Sequence, residues 1–144
     1  MTTPLSLNNQ LCHRFYTLSN AFSRAYRPLL SQLGITYPQY VVLMSLWERD
    51  DVPISELVGH TRIDGGAMSL ILKKLEKKGF ITFSADEKDR RIRRVLLTPF
   101  GHQQKARAEG IPEQMRCKLK NITQAEASTL LLLMDKLNAE LEDE

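Results

Sequence analysis

The sequence predicts a mainly α fold with a small β-hairpin, arranged as a winged helix-turn-helix. Three observations point there. Apolar residues recur at spacings of three and four along most of the chain. Two helical segments, 54–60 and 65–78, are separated by the short turn Thr61-Arg62-Ile63. Two short runs rich in β-branched and aromatic residues then bracket the arginine-dense stretch SADEKDRRIR at 84–93.

Each element follows from local chemistry. Leu7, Leu11, Phe15, Leu18, Phe22, Tyr26, Leu29 and Leu33 trace one face of a long amphipathic helix over 7–33, bent in its last turns by Pro28 and stopped by Gly34. Thr36-Tyr37-Pro38 opens a second helix to about Glu48, with proline in the first turn where its missing N–H costs nothing. After Pro53 comes the brief helix ISELVGH, and Asp64 is a good N-cap for GGAMSLILKKLEKK, which Gly79 ends. Strands are expected at 80–83 and 94–97, and the loop between them is too charged to be buried, which makes the hairpin a wing. Thr98-Pro99 begins the next helix, and Thr123-Gln124-Ala125-Glu126 is a capping box for the last. That last helix carries Leu130, Leu133, Met134, Leu137 and Leu141, and Leu131 and Leu132 widen the stripe beyond what one face needs. A terminal helix with such a surplus calls for a second partner, expected in another subunit.

These elements read as one domain, 1–144, with dimerisation helices in 7–33 and 99–142 and a winged helix-turn-helix lobe in 53–98. The length and the balance of 42% hydrophobic to 26% charged residues suit that size. The chain lacks an apolar run near the ~20 residues a membrane span requires, and MTTPLSLNNQ is unlike a signal peptide, so a cytoplasmic protein without a membrane partner is expected. Cys12 and Cys117 stand far apart and do not suggest a structural disulfide framework. Net charge is only +3, but KDRRIRR at 88–94 concentrates the positive charge and suggests a polyanionic partner, while LEDE closes the chain. His13, His60 and His102 form no metal set, and Gly65-Gly66 stands without the rest of a phosphate-binding loop, so neither a metal, a cofactor nor an enzyme activity is expected.

The second helix of a helix-turn-helix fits the major groove of double-stranded DNA, and a cationic wing tip reaches phosphates or the minor groove. Two core helices beside a solvated hairpin would give a similar pattern, but the arginine density favours DNA. The candidate contacts are Gly65, Ser69, Lys73 and Lys74 on the helix and Arg90, Arg91 and Arg93 on the wing, with Asp89 paired to Arg91 to shape the tip.

DEKDRRIRRVLLTPFG, residues 86–101, resembles the wing of the multiple-antibiotic-resistance-type (MarR) winged-helix repressors, and the likeness extends over nearly the whole chain. NNQLCHRFY at 8–16, YRPLL at 26–30 and LGITYPQY at 33–40 are similar to the motifs of the organic hydroperoxide resistance regulators (OhrR) within that family. The resemblance implies a homodimer that binds a pseudo-palindromic operator. It implies a sensing thiol at Cys12 whose thiolate accepts hydrogen bonds across the dimer from Tyr26 and Tyr37, with Tyr16 alongside, and an organic hydroperoxide as inducer. The chemistry asks for such donors, because an unperturbed thiol, with a pKa of about 8.5, is only a few per cent thiolate at neutral pH. Some members of the subfamily carry a second cysteine near the position of Cys117 that captures the oxidised first one in an intersubunit disulfide. Its cationic neighbours in RCKLKN would favour a thiolate; by itself Cys117 reads equally well as an exposed bystander. Gly65 and Ala67 depart from the pattern, standing where hydroxyls usually face DNA. Two other readings are a repressor of the same fold released by non-covalent binding of a small phenolic or other ligand, and a thiol peroxidase-like enzyme.

Overall fold

A computed structural model of the protein describes residues 4–142; the ends of the expected 1–144 domain, including Asp143 and Glu144 of the acidic terminus, lie outside the described residues. The described chain forms two compact units that divide after Ile111. The first contains α1 (Leu11–Leu30), α2 (Tyr37–Glu48), β1 (Val52–Pro53), α3 (Ile54–Thr61), α4 (Gly65–Lys77), β2 (Ile81–Ala85), β3 (Arg93–Leu97) and α5 (Pro99–Ala108). The second contains α7 (Gln124–Glu142) and most of α6 (Ile111–Lys118).

The expected helix over 7–33 is divided in three. Residues Leu7–Asn9 form a single 3₁₀ turn, Gln10 is extended, and α1 runs from Leu11 to Leu30 before a second 3₁₀ turn at Ser31–Leu33. The break has a local cause: the Gln10 side-chain amide donates to the carbonyls of Pro4 (2.6 Å) and Ser6 (3.2 Å), holding that residue out of helical geometry. Gly34 stops the segment at φ 67°, a left-handed conformation that glycine adopts without steric penalty.

Caps form where the sequence places them. Thr36 Oγ1 accepts from Gln39 N–H while Gln39 Oε1 accepts from Thr36 N–H; Asp64 accepts from Ala67 N–H (2.9 Å); Thr98 accepts from Gly101 N–H (3.0 Å). The Thr123–Glu126 box likewise closes in both directions. Between α5 and α7 the structure adds a helix for which the sequence offered no start or stop signal: residues Ile111–Lys118 are helical and carry Cys117. Pro112 is compatible with a first turn, where its missing N–H has no helical partner to lose.

The sheet has three strands in the order β1-β3-β2, all antiparallel, with Ile81 opposite Leu97 and Val52 opposite Val95. Toward the tip, β2 extends two residues and β3 one residue further than the runs 80–83 and 94–97 suggest, because Ser84 and Ala85 continue the ladder against Arg94 and Arg93. The core of the first unit gathers Val42, Leu43 and Leu46 of α2, Leu57 of α3, Met68, Leu72 and Leu75 of α4 and Val95 of β3. It therefore fixes the back of the helix-turn-helix and the root of the wing to one body. Gly101 allows α5 to pack on the carbonyl of Phe80, which a Cβ there would strike, and its own carbonyl accepts from Trp47 Nε1 at 3.0 Å.

Candidate nucleic-acid interface and thiol site

In α4 the residues at 68, 72 and 75 are buried, and Gly65, Gly66, Ser69, Lys73 and Lys74 are exposed on the other side. Among the described residues the N–H groups of Gly65 and Gly66 find no hydrogen-bond partner, and this end of α4 carries the positive end of the helix dipole. Across a groove of about 320 Å³, Ser69 and Lys73 face Phe83 and Arg93 of the hairpin. The exposed side of α4, the hairpin's Phe83 and one wing arginine thus line a single depression.

The wing tip is internally tied. Asp86 accepts from Lys88 and Asp89 N–H (both 3.1 Å) and from Arg94 Nη1 (2.9 Å), and the backbone closes with Asp86 N–H donating to Ile92 O. These donors, Asp89 N–H first and then the Arg94 guanidinium, hold the Asp86 carboxyl below the usual carboxylate range. Arg91 makes two parallel bonds to Asp89 (3.0 and 2.9 Å), and this pairing lowers the Asp89 carboxyl in the same way. Arg93 lies over the Phe83 ring, 4.0 Å from its centroid, which aims it without neutralising it. Arg90 is exposed and has no hydrogen-bond or ion-pair partner among the described residues.

Sequence reasoning left one arginine unassigned. Arg94 binds Asp86 at the tip and reaches back to Asp51, donating to its carboxylate (2.7 Å) and its carbonyl (2.5 Å). Asp51 takes a left-handed φ of 55°, so the two-residue strand after it is oriented by this contact. The signal available in the sequence was the pair Asp50-Asp51 just ahead of a proline, but nothing in it names a partner 43 residues away.

Cys12 is exposed at the start of α1, and Tyr16, one turn on, is exposed and stacks on His13 at 6.5 Å. Tyr26 and Tyr37 are not beside Cys12 in the same chain: fourteen helical residues put Tyr26 ~21 Å along the axis from it. They instead form a cluster with Tyr40, with ring centroids 4.7 Å apart for Tyr26 and Tyr37, 5.9 Å for Tyr26 and Tyr40, and 6.3 Å for Tyr37 and Tyr40. Burial raises the phenol pKa of Tyr26 and Tyr40 above the ordinary value, with the neighbouring phenols adding to it, so both are hydrogen-bond donors at neutral pH. A cavity of about 410 Å³ opens beside this cluster, lined by Ser23, Arg27, Ile35, Tyr37 and Pro38. Cys117, exposed on α6, has a carboxylate as its nearest polar partner, Glu113 Oε1 at 4.0 Å, where its sequence neighbours suggested cations; Arg116, the nearest of those, is taken up by Glu113 itself.

The histidines are not without acidic neighbours, as His102 Nε2 lies 3.0 Å from Asp50 and His60 sits between Ser45 (2.7 Å) and Glu48 (3.8 Å). Among the described residues no three potential ligands gather for a metal ion, and no helix is long and apolar enough to cross a membrane.

Residues 35–92 match the model of the MarR family. The chain is similar to the HTH-type transcriptional regulator TtmR of Methylorubrum extorquens, 38% identical over 76% of this chain but only 56% of that longer protein. It is 37% identical to the organic hydroperoxide resistance transcriptional regulator of Bacillus subtilis, over 75% of this chain and 74% of that one. Among solved structures, reduced AbfR of Staphylococcus epidermidis bound to DNA superposes with a TM-score of 0.80 at 28% identity, covering 94% of this chain and 92% of that one. A disulfide-formed structure of AbfR superposes with a TM-score of 0.65, covering 91% of each chain.

Proposed function

The chain belongs to the MarR family of winged-helix transcriptional regulators, and from that premise we propose that it is a homodimeric repressor that holds operator DNA while Cys12 is reduced and releases it when an organic hydroperoxide oxidises Cys12. One observation carries the reading: an exposed thiol opens α1 while a cluster of phenols and a cavity lie a helix length away, so that in this reading a two-fold-related copy brings them to the thiol. The similar Bacillus subtilis protein is named for organic hydroperoxide resistance, which supports the choice of oxidant.

The chemistry is a displacement at oxygen. The Cys12 thiolate attacks the outer peroxide oxygen, the O–O bond breaks, and the alkoxide takes a proton to leave as an alcohol, giving a sulfenic acid. The thiol of Cys117 from the other subunit then attacks that sulfur and expels water, forming a disulfide. Tyr26 and Tyr37 donate to the thiolate, Tyr16 lies alongside it, and the cavity at Tyr37 takes the organic group. On DNA, Ser69, Lys73 and Lys74 and the N-terminal amides of α4 at Gly65 face the major groove, while Arg90 and Arg93 reach phosphates and Arg91 with Asp89 keeps the tip in shape. The whole chain acts as a single MarR-type domain in this reading, with 7–33 and 99–142 supplying dimer contacts and 53–98 the lobe on DNA.

A second reading is favoured by the same cavity. With Arg27 among its lining residues, it suits a small phenolic or carboxylate ligand that would release DNA without covalent chemistry. The two separate in one experiment, using duplexes enriched by the reduced protein from a random-sequence DNA library. One equivalent of cumene hydroperoxide per subunit should abolish binding, dithiothreitol should restore it, and Cys12→Ser should bind but ignore the oxidant. Release of Cys12→Ser at the wild-type dose would overturn the thiol mechanism.

A further inference from the structure

On the exposed face of α4, Gly66, Ser69, Leu70 and Lys73 succeed one another at the three- and four-residue spacings of neighbouring turns. Leu70 is the odd member. The other leucines of α4, Leu72 and Leu75, are buried, whereas Leu70 is 64% exposed and lines the groove between α4 and the wing with Ser69, Lys73, Phe83 and Arg93. A core does not require it there. Its place amid the cationic and hydroxyl side chains assigned to DNA requires a separate reason.

We propose that Leu70 reads the 5-methyl group of a thymine in the major groove and is a specificity-determining residue of the recognition helix; this rests on the DNA-binding reading above. The groove chemistry leaves one match. Leucine neither donates nor accepts a hydrogen bond, and among the base edges exposed in the major groove only thymine presents an apolar group. The sequence around it lets it arrive. Gly65 and Gly66 carry no side chains, and a Cβ at Gly65 would meet nothing within 4 Å, so the first turn of α4 presents bare backbone. A helix with such a start can lie closer to the base edges than one that opens on bulky residues. One turn further along, Leu70 and Ser69 are then the first side chains to project from that face. Lys73, a turn beyond, has the reach to bind a phosphate beside the same base pair. Gly65 and Ala67 offer no hydrogen-bonding side chain to the bases, so an apolar contact from Leu70 adds a base reading that the first turn lacks.

The test uses the full-length reduced protein and a duplex that it enriches from a random-sequence library. In a set of otherwise identical duplexes, each symmetry-related pair of thymines is replaced by deoxyuridine, which removes the methyl group and leaves the hydrogen-bonding edge intact. For the wild type, one pair should weaken binding by about fourfold per half-site, the effect of returning one buried carbon to water, and the other pairs should not. Leu70→Ala should bind the thymine duplex more weakly and lose the distinction at that pair. Leu70→Met, still apolar, should retain it. A wild type equally sensitive at every pair or at none, or a Leu70→Ala protein that still discriminates, would overturn the proposal while leaving DNA binding intact. A wild type that enriches no duplex would overturn the DNA-binding reading and this inference together.

Discussion

Tyr26 carries the most specific expectation at the scale of single residues. Its phenol, half-buried against Tyr37 and Tyr40, is protonated at neutral pH as phenols are, and burial, then Tyr37, moves it further from ionising, so its O–H is ready to donate to a thiolate. Tyr26→Phe keeps the ring packing and deletes the donor. Reduced Tyr26→Phe should therefore bind DNA as the wild type does, yet its Cys12 should react with cumene hydroperoxide about tenfold more slowly, the equivalent of one weakened charge-assisted hydrogen bond. Stopped-flow measurement of thiol loss checks the rate; an unchanged rate would remove Tyr26 from the sensing site. The motif around Cys12 stood out in the sequence through its resemblance to the organic hydroperoxide resistance regulators, and the roles of its thiol and phenols belong to the proposal above. The place of Tyr40 in the cluster was not legible, since it depends on how α2 turns against α1. Arg94 was hidden for a different reason: it is one of five cationic residues in 88–94 that look alike in the sequence, and only the fold of Asp51 beneath the wing sets this one apart.

Among the elements, the wing divides its arginines between structure and reach. Arg90 has no protein partner among the described residues, whereas Arg91 is engaged with Asp89 and Arg94 with Asp51 and Asp86. Neutralising Arg90 should leave folding alone and reduce the slope of log K against log salt by about 0.9 for each phosphate that the protein no longer neutralises. Arg94→Met should instead lower thermal stability. The sign with pH follows from Asp86, whose depressed carboxyl contributes stability above the normal carboxylate pKa and loses it as pH falls through the lower folded value. Arg94→Met should therefore lose part of the acid-induced drop in melting temperature between about pH 5 and pH 2. Gly101→Ala tests how α5 meets the hairpin. Alanine has the better helix propensity, but its Cβ would run into the Phe80 carbonyl, so urea unfolding should show a loss of about 1–3 kcal/mol. Helix caps were legible because each needs only a residue and its neighbour three positions on. Strand β1 was not, because two residues carry no alternation, and their pairing with β3 exists only after the chain has folded.

At the scale of the whole molecule, the surplus of apolar surface on the outer helices is the main unfinished business of one chain. Leu131 and Leu132 are each 61% exposed, and Leu11 and Leu18 face outward on α1. Two copies that cover these faces should sediment as a dimer at micromolar concentration and protect two half-sites roughly 34 Å apart, one turn of DNA. Oxidation should give a species linked through Cys12 and Cys117 of opposite subunits, seen as a dimer band on non-reducing gels and absent in Cys117→Ser. A band that persists in that variant would make Cys117 a bystander. The surplus itself was legible from Leu130 to Leu133, whereas the helix around Cys117 was not, because its short, charged sequence has little apolar periodicity. One lysine gives this arrangement a thermodynamic consequence. Lys78, at the C-terminal end of α4, donates to the Gly34 carbonyl (2.8 Å) and to Gln39 Oε1 (2.8 Å), the same side chain that caps the helix on which Tyr37 stands. Burial, and then Lys74, lowers its ammonium below the usual lysine value. These bonds join the tyrosine end to the reading helix, and in the redox mechanism proposed above the coupling is reciprocal: whatever free energy oxidation spends to loosen DNA, DNA must return as resistance to oxidation, so an operator-bound repressor should be the harder one to oxidise at equilibrium.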